Sequence, residues 1–297
     1  MGAQVALIIS ALAVGSIYAV IALGFVVVFR GSRALNFAHV SVMLLGGYVT
    51  FQVARVWELG LAVGMVVAAL VAAGVSLAIY LTVAFPLAGR PVMAVSIATI
   101  GVDTALRAGL SAYPPWSIEA VDVGSPWGAD TSTVLGRSVF TSHLWVIAIS
   151  LVVVALLVLV LERSSWGVRF RAAAEDEEAA ASVGIPVRRV MLIAWGLAGL
   201  LAALGGAWAG TFPRLLQPAS AEFAFRAIPA VVIGGLDSIK GAIVGGLLIG
   251  LIEVYTAGYA PAALGSNVHL LAPYVAMLAV LLVRAEGLFG TPEIRRL

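Results

Sequence analysis

Four acidic residues in a row, Glu175, Asp176, Glu177 and Glu178, stand between two alanine runs, Ala172 to Ala174 and Ala179 to Ala181. Gly184 and Pro186 close the segment. Strong helix formers fill it, so it reads as a surface helix of about 12 residues. A fold does not need such a helix for completion, and small residues beside charges suit a surface that another protein grips. A second constellation lies in an apolar stretch, where Asp103 and Arg107 stand four apart with Thr104 close by. Ser96, Thr99, Asp103 and Arg107 then share one helical face. This pair either neutralises itself within its helix or lines a pathway whose two signs and hydroxyls complement a zwitterionic solute. Asn36 and His39 form a third group, which either lines a cavity or ties helix ends together by hydrogen bonds. Ser16 and Tyr18 lie in the first apolar run, and Glu253 stands alone on a glycine-rich one.

Catalytic uses of these residues fail on geometry. His39 with Ser16 or Ser41 lacks a third, orienting group. Asp103 has no second carboxylate beside it with which to share a proton. His39, His143 and His269 lie on separate segments and cysteine is absent, which removes a metal cluster, a thiolate nucleophile and disulfides. The chain reads as a non-enzyme that binds no cofactor of its own.

Membrane helices must position these groups. Of 297 residues, 62% are hydrophobic and 11% charged, which excludes a soluble enzyme. Apolar runs fall near 5–29, 37–54, 61–85, 92–112, 143–161, 190–212, 222–235, 241–258 and 268–283. The fold class expected is all-α, a polytopic transmembrane bundle of about 8–10 membrane segments including broken or re-entrant helices. The segment 222–235 is short and holds Glu222, Arg226 and Pro229, so it is the re-entrant candidate. The first run is too long for a signal peptide and reads as a retained span. Placing the 163–189 loop inside puts twelve of the seventeen cations on that side. Arg55, Arg107, Arg137, Arg214 and Arg226 remain outside or within segments, and the N-terminus is external. An external loop spans 113–142, punctuated by Pro114, Pro115, Trp116, Pro126 and Trp127 and carrying Glu119, Asp122 and Asp130. Glycine pairs at 46–47, 205–206, 234–235 and 245–246 are expected to let helices approach closely. Net charge is only +2 and the cations are scattered, so nucleic acid is not the partner.

The stretch Glu178-Ala179-Ala180-Ala181-Ser182-Val183-Gly184 resembles the Glu-Ala-Ala-x-x-x-Gly coupling motif of ABC importer permeases. The whole chain resembles the branched-chain amino-acid ABC transporter permease family. Gly15 to Gly24, Leu35 to His39, Trp166 to Ala172, Ala230 to Ala242 and Gly287 to Glu293 carry the likeness in order from end to end. Val40 and Ser41 follow His39 where relatives commonly have Gly and an acid, and Asp237 stands where Gly is usual. The resemblance implies a single permease domain over 1–297, multi-pass in a bacterial inner membrane, working by alternating access. It implies branched-chain amino acids or similar small polar solutes as cargo, with urea, amides or other small carboxylates as the alternative. A secondary transporter is the remote alternative, and it would not need the 172–184 helix. Implied partners are two cytoplasmic ATPase subunits, an extracytoplasmic substrate-binding protein and a second permease subunit, either a homologous but different chain, which is favoured, or a copy of this one. ATP and Mg belong to those ATPases, because this sequence has no Gly-x-x-x-x-Gly-Lys-Ser/Thr loop. Glu175, Asp176, Glu178, Ala179, Ala180 and Gly184 are the implied ATPase contacts. Tyr18, Asn36, His39, Ser96, Thr99, Asp103 and Arg107 are the candidates for the substrate pathway.

Overall fold

A computed structural model describes residues 2–113, 116, 120–211, 213–261, 265 and 267–291. Pro114, Pro115 and Glu119 of the 113–142 loop, and Pro292, Glu293, Arg295 and Arg296 of the tail, lie outside the described residues. Each of the nine apolar runs falls on a helix. These are α1 (Gly2–Ser32), α2 (His39–Phe51), α3 (Leu61–Ile79) and α4 (Val92–Ala112), then α5 (Thr141–Arg163). Two short helices follow, α6 (Ser165–Glu175) and α7 (Glu177–Ser182). The last four are α8 (Val187–Ala209), α9 (Ala221–Gly234), α10 (Ile239–Tyr259) and α11 (Val268–Val283). Wider π turns extend α2 through Gln52–Val56 and α3 through Tyr80–Ala84. Six of these helices, among the described residues, are long and apolar enough to cross a membrane.

The bundle is built around α1. This helix is apolar on every side, and such a helix is stable only when surrounded. It is 89% buried over its most apolar window, whereas α4 is 17% buried and presents its apolar side chains outward. Close approach between helices comes from the glycine pairs. A side-chain carbon at Gly206 of α8 would collide with the Met43 carbonyl of α2, and one at Gly46 with Ala203. Gly246 and Gly250 of α10 likewise sit against Ala19 and Gly15 of α1. Lipid supplies no hydrophobic drive between helices, so this close backbone packing carries the association.

Two features depart from an all-helical reading of continuous rods. The 113–142 loop contains an antiparallel hairpin, β1 (Thr131–Val134) paired with β2 (Arg137–Phe140), with Thr131 opposite Phe140. Leu135 and Gly136 make its turn with φ of 49° and 75°, the geometry of the tight turns that match strand twist. Between α1 and α2 the chain reverses at Arg33, whose φ is 55°, and runs without helix back into the bundle. Ala34, Asn36 and Ala38 there are each at most 2% exposed. Irregular backbone at such depth is tolerated only because protein, and not lipid, surrounds it.

Candidate translocation and coupling sites

The acid-rich segment is divided into two helices. The surface helix expected over 172–184 breaks at Asp176, whose backbone is extended at φ −150° and ψ 107°. The Asp176 carboxylate then accepts a hydrogen bond from the Ala179 N–H at 2.9 Å and starts α7 as its N-cap. Ser164 starts α6 in the same way, accepting from the Gly167 N–H at 3.0 Å. Phe170 and Ala173 of α6 are buried against the bundle, and so is Ala180 of α7 at 4% exposed, so Ala180, expected among the ATPase contacts, packs inward instead. Gly167 packs on the Leu161 carbonyl, and the Arg171 guanidinium donates to that same oxygen. The Arg33 guanidinium reaches the Ala174 carbonyl at 3.5 Å, which ties the pair to the end of α1. Glu175, Asp176, Glu177, Glu178 and Ala179 are exposed, as are Val183 and Gly184, so a charged and small-residue surface faces away from the bundle. Gly184 ends the segment at φ 83°, a conformation open to glycine at little cost.

The second group forms where α4 crosses the start of α2. The first N–H groups of a helix have no partner inside it, and α2 has no cap of its own. Instead, Asp103 Oδ1 accepts from the Ser41 N–H at 3.0 Å, while Asp103 Oδ2 pairs with Arg107 Nη2 at 2.5 Å. Thr99 Oγ1 accepts from the Phe37 N–H at 3.1 Å and donates to the Ser96 carbonyl at 2.8 Å. A carboxylate at a helix N-terminus is also favoured by the aligned peptide dipoles. Asp103 is 2% exposed, whereas the Arg107 side chain is 38% exposed and leans over Phe225, 5.7 Å from the ring centre. Arg107 and Thr104 line a cavity of about 350 Å³ with Leu44, Tyr48, Ser111 and Pro218. The Tyr48 hydroxyl is buried without a hydrogen-bond partner among the described residues.

Asn36 and His39 are 1% exposed and sit at the buried reversal. Both polar atoms of the Asn36 amide, and Nε2 of His39, lack hydrogen-bond partners among the described residues. The His39 ring lies 4.6 Å from Phe25 and leaves no room for a side chain at Gly24.

Tyr18 belongs elsewhere. Its hydroxyl donates to Glu253 Oε2 in α10, and Glu253 Oε1 is held by Arg226 Nη1 of α9 at 2.6 Å. Phe223 stacks on Tyr18 with ring centres 4.5 Å apart. The seven pathway candidates thus divide. Asn36, His39, Ser96, Thr99, Asp103 and Arg107 converge around the start of α2, and Tyr18 joins a separate Glu253–Arg226 cluster. Arg226 and Glu253 were missed as a site in the sequence, although two opposite charges on neighbouring membrane segments are themselves a signal, because such groups are costly unless paired. Among the described residues no group of three or more His, Cys, Asp or Glu side chains is placed to hold a metal ion.

Residues 7–282 match the family model described as "Branched-chain amino acid transport system / permease component". The chain is 29% identical to the high-affinity branched-chain amino acid transport system permease protein LivH of Escherichia coli K12, over 95% of this chain and 94% of the relative. Its identity to the corresponding permease protein BraD of Pseudomonas aeruginosa is 27%, over 97% and 96%. The probable LivH permease of Methanocaldococcus jannaschii is 29% identical over 91% and 87%. Helices of membrane-spanning length, polar groups held at breaks in those helices and a match along nearly the whole chain agree: this multi-pass membrane protein belongs to the permease family of branched-chain amino acid ABC transport systems.

Proposed function

We propose that this chain is one membrane half of an ATP-driven importer for branched-chain amino acids or similar small polar solutes. It pairs with a second, homologous permease subunit and receives cargo from an extracytoplasmic binding protein. Two cytoplasmic ATPase subunits hold ATP and Mg, for which this sequence has no phosphate-binding loop. The α6–α7 pair is the ATPase dock. The observation that carries the reading is its construction: two capped helices pinned by Phe170, Ala173 and Ala180, with Glu175, Glu178, Ala179 and Gly184 left exposed. A solvated acidic face would not require such pinning.

In this mechanism closure of the ATPase pair moves α6–α7, and with them the ends of α1, α5 and α8 to which they are joined. Tightly packed helices respond as rigid bodies, so the bundle rocks between two arrangements and exposes its pathway alternately to each side. The Asp103–Arg107 pair keeps the buried start of α2 anchored to α4 during that motion.

The test uses Glu178→Arg combined with Ala179→Arg. Both positions are exposed, so insertion and folding are retained while the charge of the dock is inverted. The expected result is loss of ATP-driven uptake with normal amounts of protein in the membrane. Unchanged uptake by that variant would overturn the dock.

A further inference from the structure

Between α8 and α9, at the end of the bundle opposite α6–α7, lies a cavity of about 340 Å³. Its walls include Arg214, Glu222, Phe223, Arg226 and Glu253, a concentration of charge unlike the apolar bundle around it. These charges are not equally satisfied. Arg226 and Glu253 neutralise one another at 2.6 Å, with side chains only 15% and 12% exposed. Arg214 is half-buried, and among the described residues no carboxylate lies within ion-pair distance of it. Its guanidinium instead rests 5.4 Å from the centre of the Phe223 ring, whose surroundings also include Arg226 at 5.3 Å. Glu222 is exposed into the same space, and among the described residues its carboxylate has no ion-pair partner either. One cavity therefore presents one unpaired cation, one unpaired carboxylate, and apolar walls from Ala209, Leu215 and Leu270.

We infer that this cavity is a receiving site for an α-amino carboxylate with an aliphatic side chain. Arg214 takes the carboxylate, since a guanidinium presents forked donors that match it. Glu222 takes the ammonium, and the side chain lies on the apolar wall. The Arg226–Glu253–Tyr18 network holds Phe223 and the start of α9 in place beneath. The volume lies within the range of small-ligand pockets, roughly 300–1,000 Å³. This inference rests on the importer reading, which supplies a reason for such a solute to arrive at this face.

The absence of cysteine from the sequence makes the test direct. Ala219 lines the cavity and is exposed, so Ala219→Cys places a single thiol at its rim. Labelling of the complete transporter in membranes by an impermeant maleimide is timed with and without leucine, leucinamide or 4-methylpentanoate. The latter two lack the carboxylate and the ammonium respectively. At saturation leucine is expected to slow labelling roughly tenfold by occupancy, and the two analogues are not. Arg214→Gln in the same background should weaken protection by roughly tenfold or more, the size of a lost charge-assisted contact, and Arg214→Lys should retain part of it. Uptake of leucine by the parent transporter is measured in parallel. If the parent transports leucine yet leucine does not protect the introduced thiol, or protects it equally in Arg214→Gln and Arg214→Lys, the site is wrong while the importer reading stands. If the parent transports no α-amino acid, the site falls together with the amino-acid cargo on which it rests, while an importer of another small polar solute stands.

Discussion

Removing the Asp103 side chain tests the link between polar chemistry and architecture most sharply. Asp103→Ala deletes two interactions at once, the acceptor for the Ser41 N–H at 3.0 Å and the ion pair to Arg107 at 2.5 Å. The first leaves a helix N-terminal donor uncapped in a place that water does not reach, at a cost of about 1–2 kcal/mol. The second would be worth about 3–5 kcal/mol for a fully buried pair. Arg107 is 38% exposed, so solvent can take up part of its charge, and about 1–2 kcal/mol is the appropriate scale after that discount. The expected loss is therefore about 2–4 kcal/mol. Arg107→Ala strands a carboxylate that is 2% exposed, and it is expected to destabilise by a similar amount for the opposite reason. The double variant should then cost less than the sum of the two single ones by about 1–2 kcal/mol, the coupling of residues in direct contact. Denaturant unfolding of the purified complex in one detergent, on all four forms, measures each term. Additive effects, or an Asp103→Ala protein as stable as the parent, would refute the account of α4 as the cap of α2.

Four further outcomes follow from the same structure. Asp176→Ala removes the N-cap of α7 and should lower ATP-driven uptake while leaving membrane insertion unchanged, with Asp176→Asn retaining most activity; vesicle uptake compared with protein amount decides it. Gly206→Leu drives a side chain into the Met43 carbonyl and should prevent accumulation of folded protein, as read by detergent-solubilised monodispersity. Glu253→Gln is expected to destabilise more than Tyr18→Phe, because the former leaves Arg226 without its carboxylate whereas the latter removes one hydrogen bond, worth about 0.5–1.5 kcal/mol; thermal unfolding ranks them. Thr291→Val removes the hydroxyl bond to Asp237 and leaves the weaker Thr291 N–H bond to the same carboxylate at 3.4 Å, so faster proteolytic cleavage beside Thr291 should report the loosened contact.

The spans were legible because apolar length is a strong signal, and the Asp103–Arg107 pair because residues four apart on a helix must meet. The same reasoning could not find the partner that gives the pair its purpose. Ser41 lies sixty-two residues from Asp103, and only tertiary packing brings the start of α2 to that carboxylate. Tyr18, Arg226 and Glu253 likewise come from three helices, so each looked solitary or ordinary in its own segment. The break at Asp176 had a local signal that uniform helix propensity obscured. An aspartate followed by two glutamates is a helix start, and here it is placed immediately after another helix. The hairpin in the 113–142 loop could also be read in principle from Thr131 to Val134, Leu135-Gly136 and Arg137 to Phe140, a glycine-containing two-residue turn between short β-rich runs.

Whether the exposed face of α6–α7 grips an ATPase is tested most directly by purification of the tagged chain from its own membranes in mild detergent, with every accompanying chain identified by mass spectrometry. The parent chain is predicted to bring down an ATPase subunit and a second permease, and the Glu178→Arg, Ala179→Arg variant to keep the permease and lose the ATPase. A parent chain recovered without any ATPase, or a variant that retains it in full, would contradict the account.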